Sequence, residues 1–197
     1  MRSHPQSELL QRRMERTLGK ATVWAGTFYR ATTIEYANRR DLLTGLGSRM
    51  AGARWTTPGS FAAVYGCLEP ETAMSEALAN YREFGIPLSQ AMPLVFVAVT
   101  VETQAVLDFT DPAVQRVLGV TTRRMVSTPW QRQQERGDEA LTQCLGRLAW
   151  EASLEGILVP SARVKGATNI VLFPNRRRKG SSWKIQRSRS LPKKDDE

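Results

Sequence analysis

The sequence predicts a single α+β domain, and three observations carry that expectation. Segments with helical and strand periodicity follow one another without the regular alternation of a doubly wound fold. An unbroken run, Leu94-Val95-Phe96-Val97-Ala98-Val99-Thr100-Val101, is the clearest strand in the chain. The chain is 197 residues long with 41% apolar and 24% charged residues, enough to bury one core and close to the average for globular proteins.

Taken in order, Ser7 is a candidate N-cap, because Leu10, Met14 and Leu18 recur at helical spacing behind it and Gly19 offers a stop. Residues 23–32 read as a strand through Val23, Trp24, Phe28 and Tyr29, with Gly26 a possible bulge. The glycine-rich stretch 45–59 reads as loop or irregular strand, and residues 61–65 as a short buried strand. Pro70 opens a helix expected to reach about Phe84 and to stop before Gly85 and Pro87. Asp111 caps a short helix that carries Val114, Val117 and Leu118 on one face. A long helix is expected over 137–154, followed by two short strands at 157–159 and 169–173.

Composition excludes several function classes. No apolar run is long enough to cross a bilayer, and the Arg-bearing N-terminus lacks the continuous apolar stretch of a secretory signal. The two cysteines, Cys67 and Cys144, make neither a disulfide framework nor a CxxC spacing, so a reducing cytoplasm is the expected location. His4 is the one histidine, which argues against Ser-His-Asp and Cys-His hydrolases and against a His-rich zinc centre. A dinucleotide fingerprint starting at Gly45 fails at Met50, and the Gly-Lys-Ser/Thr of a Walker phosphate loop is missing.

The formal charge is +9. Residues 174–197 hold nine Lys or Arg against three acids, a net +6, which leaves +3 for the rest of the chain. With four serines and few large apolar residues, that stretch reads as a solvated, flexible tail, or else as a segment that docks on an acidic partner or nucleic acid.

The remaining candidates are arginines, a tyrosine, a glutamate and a serine beside apolar segments. Arg30 ends Phe28-Tyr29-Arg30, and Arg54 precedes Trp55; each suits a phosphate, or pairs with a local carboxylate. Glu76 falls at the edge of the helical stripe Ala73, Ala77 and Tyr81, where it faces either a cleft or water. Tyr65 is a site residue or a core ring with a polar tip, and Ser161 a site residue or a turn residue after Pro160.

Joined in order, these segments resemble the RES domain, a bacterial family named for its arginine, glutamate and serine. Phe28-Tyr29-Arg30-Ala31 is similar to the segment of the family's first arginine. Ala53-Arg54-Trp55-Thr56-Thr57-Pro58-Gly59 is similar to its Gly-Arg-Trp-Asn-x-x-Gly, with Thr56 in place of the asparagine. Tyr65 and Glu76 fall at the family's strand tyrosine and helical glutamate, with Asn80 where a histidine often follows. Residues 155–163 and 169–173 resemble the serine segment and the last strand.

The resemblance implies a fold like the ADP-ribosyltransferases, with a split mixed sheet and flanking helices. It implies cleavage of the nicotinamide–ribose bond of NAD by the toxin of a toxin–antitoxin pair, as a glycohydrolase or phosphorylase. NAD is then the substrate, no cofactor is required, and no metal is expected. Glu76, Arg30 and Ser161 take the catalytic positions, and Arg30, Arg54, Tyr65, Trp55, Ser161 and Asn169 the NAD contacts. The implied partner is an antitoxin with a helix-turn-helix DNA-binding domain, through which any DNA contact would run; a homodimer is a further possibility and a membrane is not expected. The domain layout is then an N-terminal helical extension (1–22), the RES domain (23–174) and the basic tail (175–197). Two alternatives stay open: an ADP-ribosyltransferase acting on a macromolecule, and a nucleic-acid-binding module working through the tail, suggested by the pI near 10.1.

Overall fold

Two long strands dominate the sheet. β1 (Thr22–Thr33) and β3 (Leu94–Asp108) pair antiparallel from Trp24 opposite Thr103 to Thr33 opposite Leu94. The shorter β2 (Val64–Cys67), β4 (Gly156–Pro160), β5 (Thr168–Leu172) and β6 (Ser182–Ile185) complete the order β1-β2-β5-β4-β3-β6. Because β1 also pairs with β3, the first five strands close into a ring, with β3 and β4 its parallel pair. The computed structural model describes residues 1–83, 85, 87, 89 and 93–192.

Period two sends neighbouring side chains to opposite faces of the sheet. On β5, Ile170 and Leu172 join one apolar cluster with Phe28, Val97, Val99 and Val101, while Val171 and the following Phe173 join the other. The second cluster is roofed by helices: α1 (Ser7–Glu15), α5 (Pro112–Leu118), α6 (Thr122–Val126) and α8 (Leu141–Glu151) bring Leu10, Met14, Val114, Leu118, Met125, Leu145 and Leu148 onto it. The layers are those of a mixed α+β domain with flanking helices, as expected. Three shorter elements, α2 (Arg39–Thr44), α3 (Leu46–Ala51) and α7 (Trp130–Glu135), join α4 (Pro70–Glu83).

Several local expectations are corrected. Ser7 is the first helical residue and not the cap, which is Gln6; the Ser7 hydroxyl instead accepts from Arg147 at 2.8 Å. The helix stops at Glu15, and Gly19 lies inside a following 3-10 turn, Leu18–Lys20. The bulge in β1 sits between Thr22 and Trp24 and not at Gly26. The stretch 45–59 is not simply loop: Asn38 Oδ1 caps α2 by accepting from the Asp41 N–H at 3.0 Å, and Gly45, with φ at +65°, turns the chain directly into α3. The strand expected at 61–65 is displaced to Val64–Cys67, and the helix expected over 137–154 is shortened to α8. The Pro70 helix runs to Glu83, and Phe84 lies outside the described residues.

The largest correction concerns the basic segment, expected to be a solvated tail. Ser182–Ile185 pair with residues 99–102 of β3, and Ile185 is buried. Glu155, fully buried, anchors its approach: Oε1 accepts from the Arg178 N–H at 2.8 Å, while Oε2 takes the N–H groups of Gln104 and Ala105. Burial pushes its pKa up, but Ser181 and the three backbone N–H groups outweigh that cost and hold it below the ordinary 4.5. The helix of the expected N-terminal extension likewise contributes Leu10 and Met14 to the shared core.

Candidate active site

The site sits where β1 and β2 part. Their register holds a single pair, Tyr29 opposite Cys67, and a cavity of about 440 Å³ opens beside it. Its walls come from β1, β2, the segment 51–55, the inner face of α4 and the start of α7. Gly66 makes the junction tight: a Cβ there would fall 2.1 Å from the Phe28 ring, so the strands approach only without a side chain.

Glu76 projects into this cavity from α4, so of the two orientations open to it the cleft is the one adopted. Its Oε1 accepts from Ser161 Oγ at 2.7 Å and from Asn169 Nδ2 at 3.0 Å. Ser161 in turn accepts from the N–H groups of Arg163 and Val164 at 3.1 and 3.0 Å, and is 5% exposed. Its single hydroxyl proton is spent on Glu76, so Ser161 orients the carboxylate and has no proton left for a ligand. Asn169 does the same through its amide, and among the described residues its Oδ1 is buried without a partner.

Neither arginine takes the carboxylate partner that was the plain alternative; the ion pairs among the described residues include neither. Arg30 Nη1 donates to the carbonyl of Leu42 at 2.5 Å, and burial pulls its pKa down to about 10, with Cys67 opposing. Arg54 Nη1 is shared by the carbonyls of Met125, Val126 and Thr128 at 3.3, 3.4 and 3.1 Å, at the end of α6. Burial and the neighbouring Arg163 lower its pKa, while Glu76 and Tyr65 raise it. Carbonyl dipoles hold both guanidinium groups in place without cancelling their charge.

Tyr65 places its hydroxyl away from any ligand. The oxygen accepts from the Trp55 N–H at 3.2 Å and shares a 2.7 Å bond with Thr56 Oγ1, so the ring, not the hydroxyl, is what it offers the cavity. Burial pushes the phenol pKa well up, the bonds to Thr56 and Trp55 opposing. Thr56, the departure from the family asparagine, is fully buried in this latch. Trp55 borders the cavity, but its indole is 2% exposed and lies 5.8 Å from the Phe109 ring. The side chain belongs to the core.

Among the lining residues that escaped the sequence reasoning are Cys67, Trp130 and Gln131. Cys67 is buried, and desolvation and Glu76 push its thiol up to about 12, with Arg30 opposing. Its signal was available, two residues after Tyr65 on the same strand face. Trp130 and Gln131 close the far side from α7, and nothing near them in sequence marks them. Behind the wall, fully buried Gln143 of α8 donates from Nε2 to the carbonyls of Ala53 and Thr56 at 3.2 and 3.4 Å and to Gln134 Oε1 at 2.8 Å. Gly146 lets the same helix approach, since a Cβ there would meet the Trp55 carbonyl at 2.0 Å. The segment carrying Arg54 is therefore clamped from behind.

Fold and site together define a single-domain α+β protein with a carboxylate–arginine cleft at a strand junction. The chain belongs to the RES domain family, whose model matches residues 27–194. That match runs through the basic segment, beyond Phe173, where the motif resemblance ended. Over 159 residues the chain is 26% identical to the NAD(+) phosphorylase MbcT of Mycobacterium tuberculosis and of Mycobacterium bovis, covering 80% of this chain and 78% of each relative. A solved structure, the M. tuberculosis MbcT-MbcA toxin-antitoxin complex, superposes with a TM-score of 0.68 at 23% identity, over 90% of this chain and 89% of that one. That likeness establishes the shared fold.

Proposed function

We propose that this chain is the toxin of a toxin–antitoxin pair and cleaves the nicotinamide–ribose bond of NAD, with phosphate as the acceptor. The observation that carries the proposal is the cradled Glu76 carboxylate facing a cavity whose two arginines are in no ion pair among the described residues. The name of the 26%-identical relatives supports phosphate over water or a macromolecule.

When the C–N bond breaks, its electron pair returns to the pyridinium nitrogen, so nicotinamide leaves neutral and needs no proton. That matches a site without histidine: His4 is bound to Glu139 and Gln6 at the N-terminus. The positive charge left on the ribose is oxocarbenium-like, as in glycoside cleavage, and Glu76 stabilises it. A phosphate oxygen then bonds the anomeric carbon, giving nicotinamide and ADP-ribose phosphorylated at that carbon. Arg30 and Arg54 hold the diphosphate of NAD, and the Tyr65 ring stacks on the nicotinamide or ribose. Ser161 and Asn169 position Glu76, and Trp55 supports the wall. No cofactor takes part; among the described residues no cluster of His, Cys, Asp and Glu is placed to hold a metal.

In this proposal the protein works in the cytoplasm, held by an antitoxin that carries a helix-turn-helix domain, with a homodimer of the toxin within the complex. No helix among the described residues is long and apolar enough to cross a membrane. The test is incubation of antitoxin-free protein with NAD, with and without phosphate, following nicotinamide and the ribosyl product. Phosphate-dependent release with the phosphorylated product is expected. Intact NAD beside folded protein overturns the proposal, and free ADP-ribose at equal rate in either buffer overturns phosphate as the acceptor.

A further inference from the structure

Residues 174–192 contain seven Lys or Arg and no Asp or Glu. As a disordered tail this would be a solvated charge run, but the segment is built into the sheet. Ile185 is buried and Trp183 packs on the same apolar cluster, so β6 is held by its inward side chains and Lys184 is left exposed between them. Lys179 precedes the strand, and Arg187 and Arg189 follow it, all exposed. Arg39 of α2 joins them, because its Nη2 donates to Ser188 Oγ at 2.7 Å.

These five cations are displayed along one edge of the domain, and among the described residues none is in an ion pair. Glu102, on the neighbouring strand, sits opposite Ser182 and diagonal to Lys184, and among the described residues it is in no ion pair with any of the five. Elsewhere arginines do find acids: Arg2 pairs with Asp138, Arg12 with Glu8, and Arg147 with Glu139 and Glu151.

We infer that this edge binds the phosphodiester backbone of nucleic acid without reading sequence, an interaction surface separate from the cavity. A protein partner fits it less well. Protein interfaces centre on apolar anchors, and none of the large exposed apolar residues of the described chain lies within residues 174–192. The two tryptophans nearest the segment are covered: the Arg176 guanidinium lies 4.1 Å from the Trp150 ring and that of Arg177 5.9 Å from the Trp183 ring. What the segment turns outward is cations among small polar residues such as Ser182 and Gln186, which suits a regular polyanion.

The test uses the full chain and labelled duplexes of about 20 base pairs, DNA and RNA of one arbitrary sequence, with binding read by anisotropy from about 50 to about 200 mM salt. Five phosphate contacts predict a log–log slope of about −4.5 for DNA and roughly a 500-fold loss of affinity over that range. The variant K179Q/K184Q/R187Q/R189Q removes four cations whose side chains make no ion pair among the described residues, so its slope should fall to about −0.9. Its NAD cleavage and thermal midpoint should match the parent, which keeps this test independent of the proposed chemistry. Binding to either duplex with that slope supports the inference, and the tighter one names the partner. A flat salt dependence, unchanged affinity in the fourfold variant, or a polyglutamate peptide competing as well as the duplexes overturns it.

Discussion

Arginine is used in two ways in this molecule. Arg147 on α8 is saturated by acids: Nε bonds Glu139 at 2.7 Å, Nη1 bonds both oxygens of Glu151 at 3.0 Å, and Nη2 reaches Glu139 and Ser7. That cluster ties α1 to α8 and has no charge to spare. Arg30 and Arg54, at the cavity, are fixed among the described residues by backbone carbonyls. The difference lies in what each environment leaves over: carboxylates use up the charge of Arg147, whereas carbonyls orient Arg30 and Arg54 without neutralising them, which is what the proposed diphosphate contact needs.

The comparison predicts that function and stability separate cleanly. The largest effect belongs to the cavity: Glu76→Gln should lower nicotinamide release by roughly 10²–10³-fold, the scale of losing one preorganised electrostatic group. Its urea midpoint should stay at the parent value; full turnover by the folded variant would remove Glu76 from the chemistry. Next is Arg147→Ala, which strands the buried Glu139 and should destabilise by about 3 kcal/mol while leaving KM for NAD unchanged. A shifted KM with an unmoved urea midpoint would dissolve the distinction between the two regions.

Arg54→Lys sharpens the contrast from the other side. An ammonium cannot both reach the three carbonyls and present a flat fork, so kcat/KM should fall roughly tenfold with stability within about 1 kcal/mol of the parent. The mildest effect is on pH. Burial works to raise the Glu139 carboxyl, but the bonds from Arg147 and the His4 N–H hold it below the ordinary 4.5. A depressed folded pKa stabilises fully above the unfolded value of about 4.5 and is lost as pH falls through the lower folded value. Urea midpoints should therefore decline in that acid window, and Arg147→Ala should flatten the decline; an equally steep limb in the variant would assign it to other carboxylates such as Glu155.

The site was legible because its parts lie in short local patterns. A guanidinium after two aromatic strand residues, a glutamate at the edge of an apolar helical stripe, and a serine just past Pro160 can each be seen in the sequence, and their order supplied the family. What each would touch could not be seen. Whether Arg30 met a carboxylate, or Tyr65 offered its hydroxyl or its ring, depends on residues 12 to 74 positions away or on a latch formed by the 53–56 turn. The basic segment misled for a related reason: four strand residues with two inward side chains carry too little local signal to outweigh a charge run, and only β3 makes them a strand.

By itself, then, the sequence determined the α+β class, the cores of β1, β3, β4 and β5, the helix from Pro70 and the identity of the chemical groups. Those follow from periodicity and residue type, which are local. The tertiary structure alone decided that Ser161 and Asn169 converge on one oxygen of Glu76, that Gln143 clamps the Arg54 segment from behind, and that the C-terminal cations line a folded edge. Hydrogen-bond saturation and charge pairing are set by neighbours in space, and long-range packing chooses those neighbours.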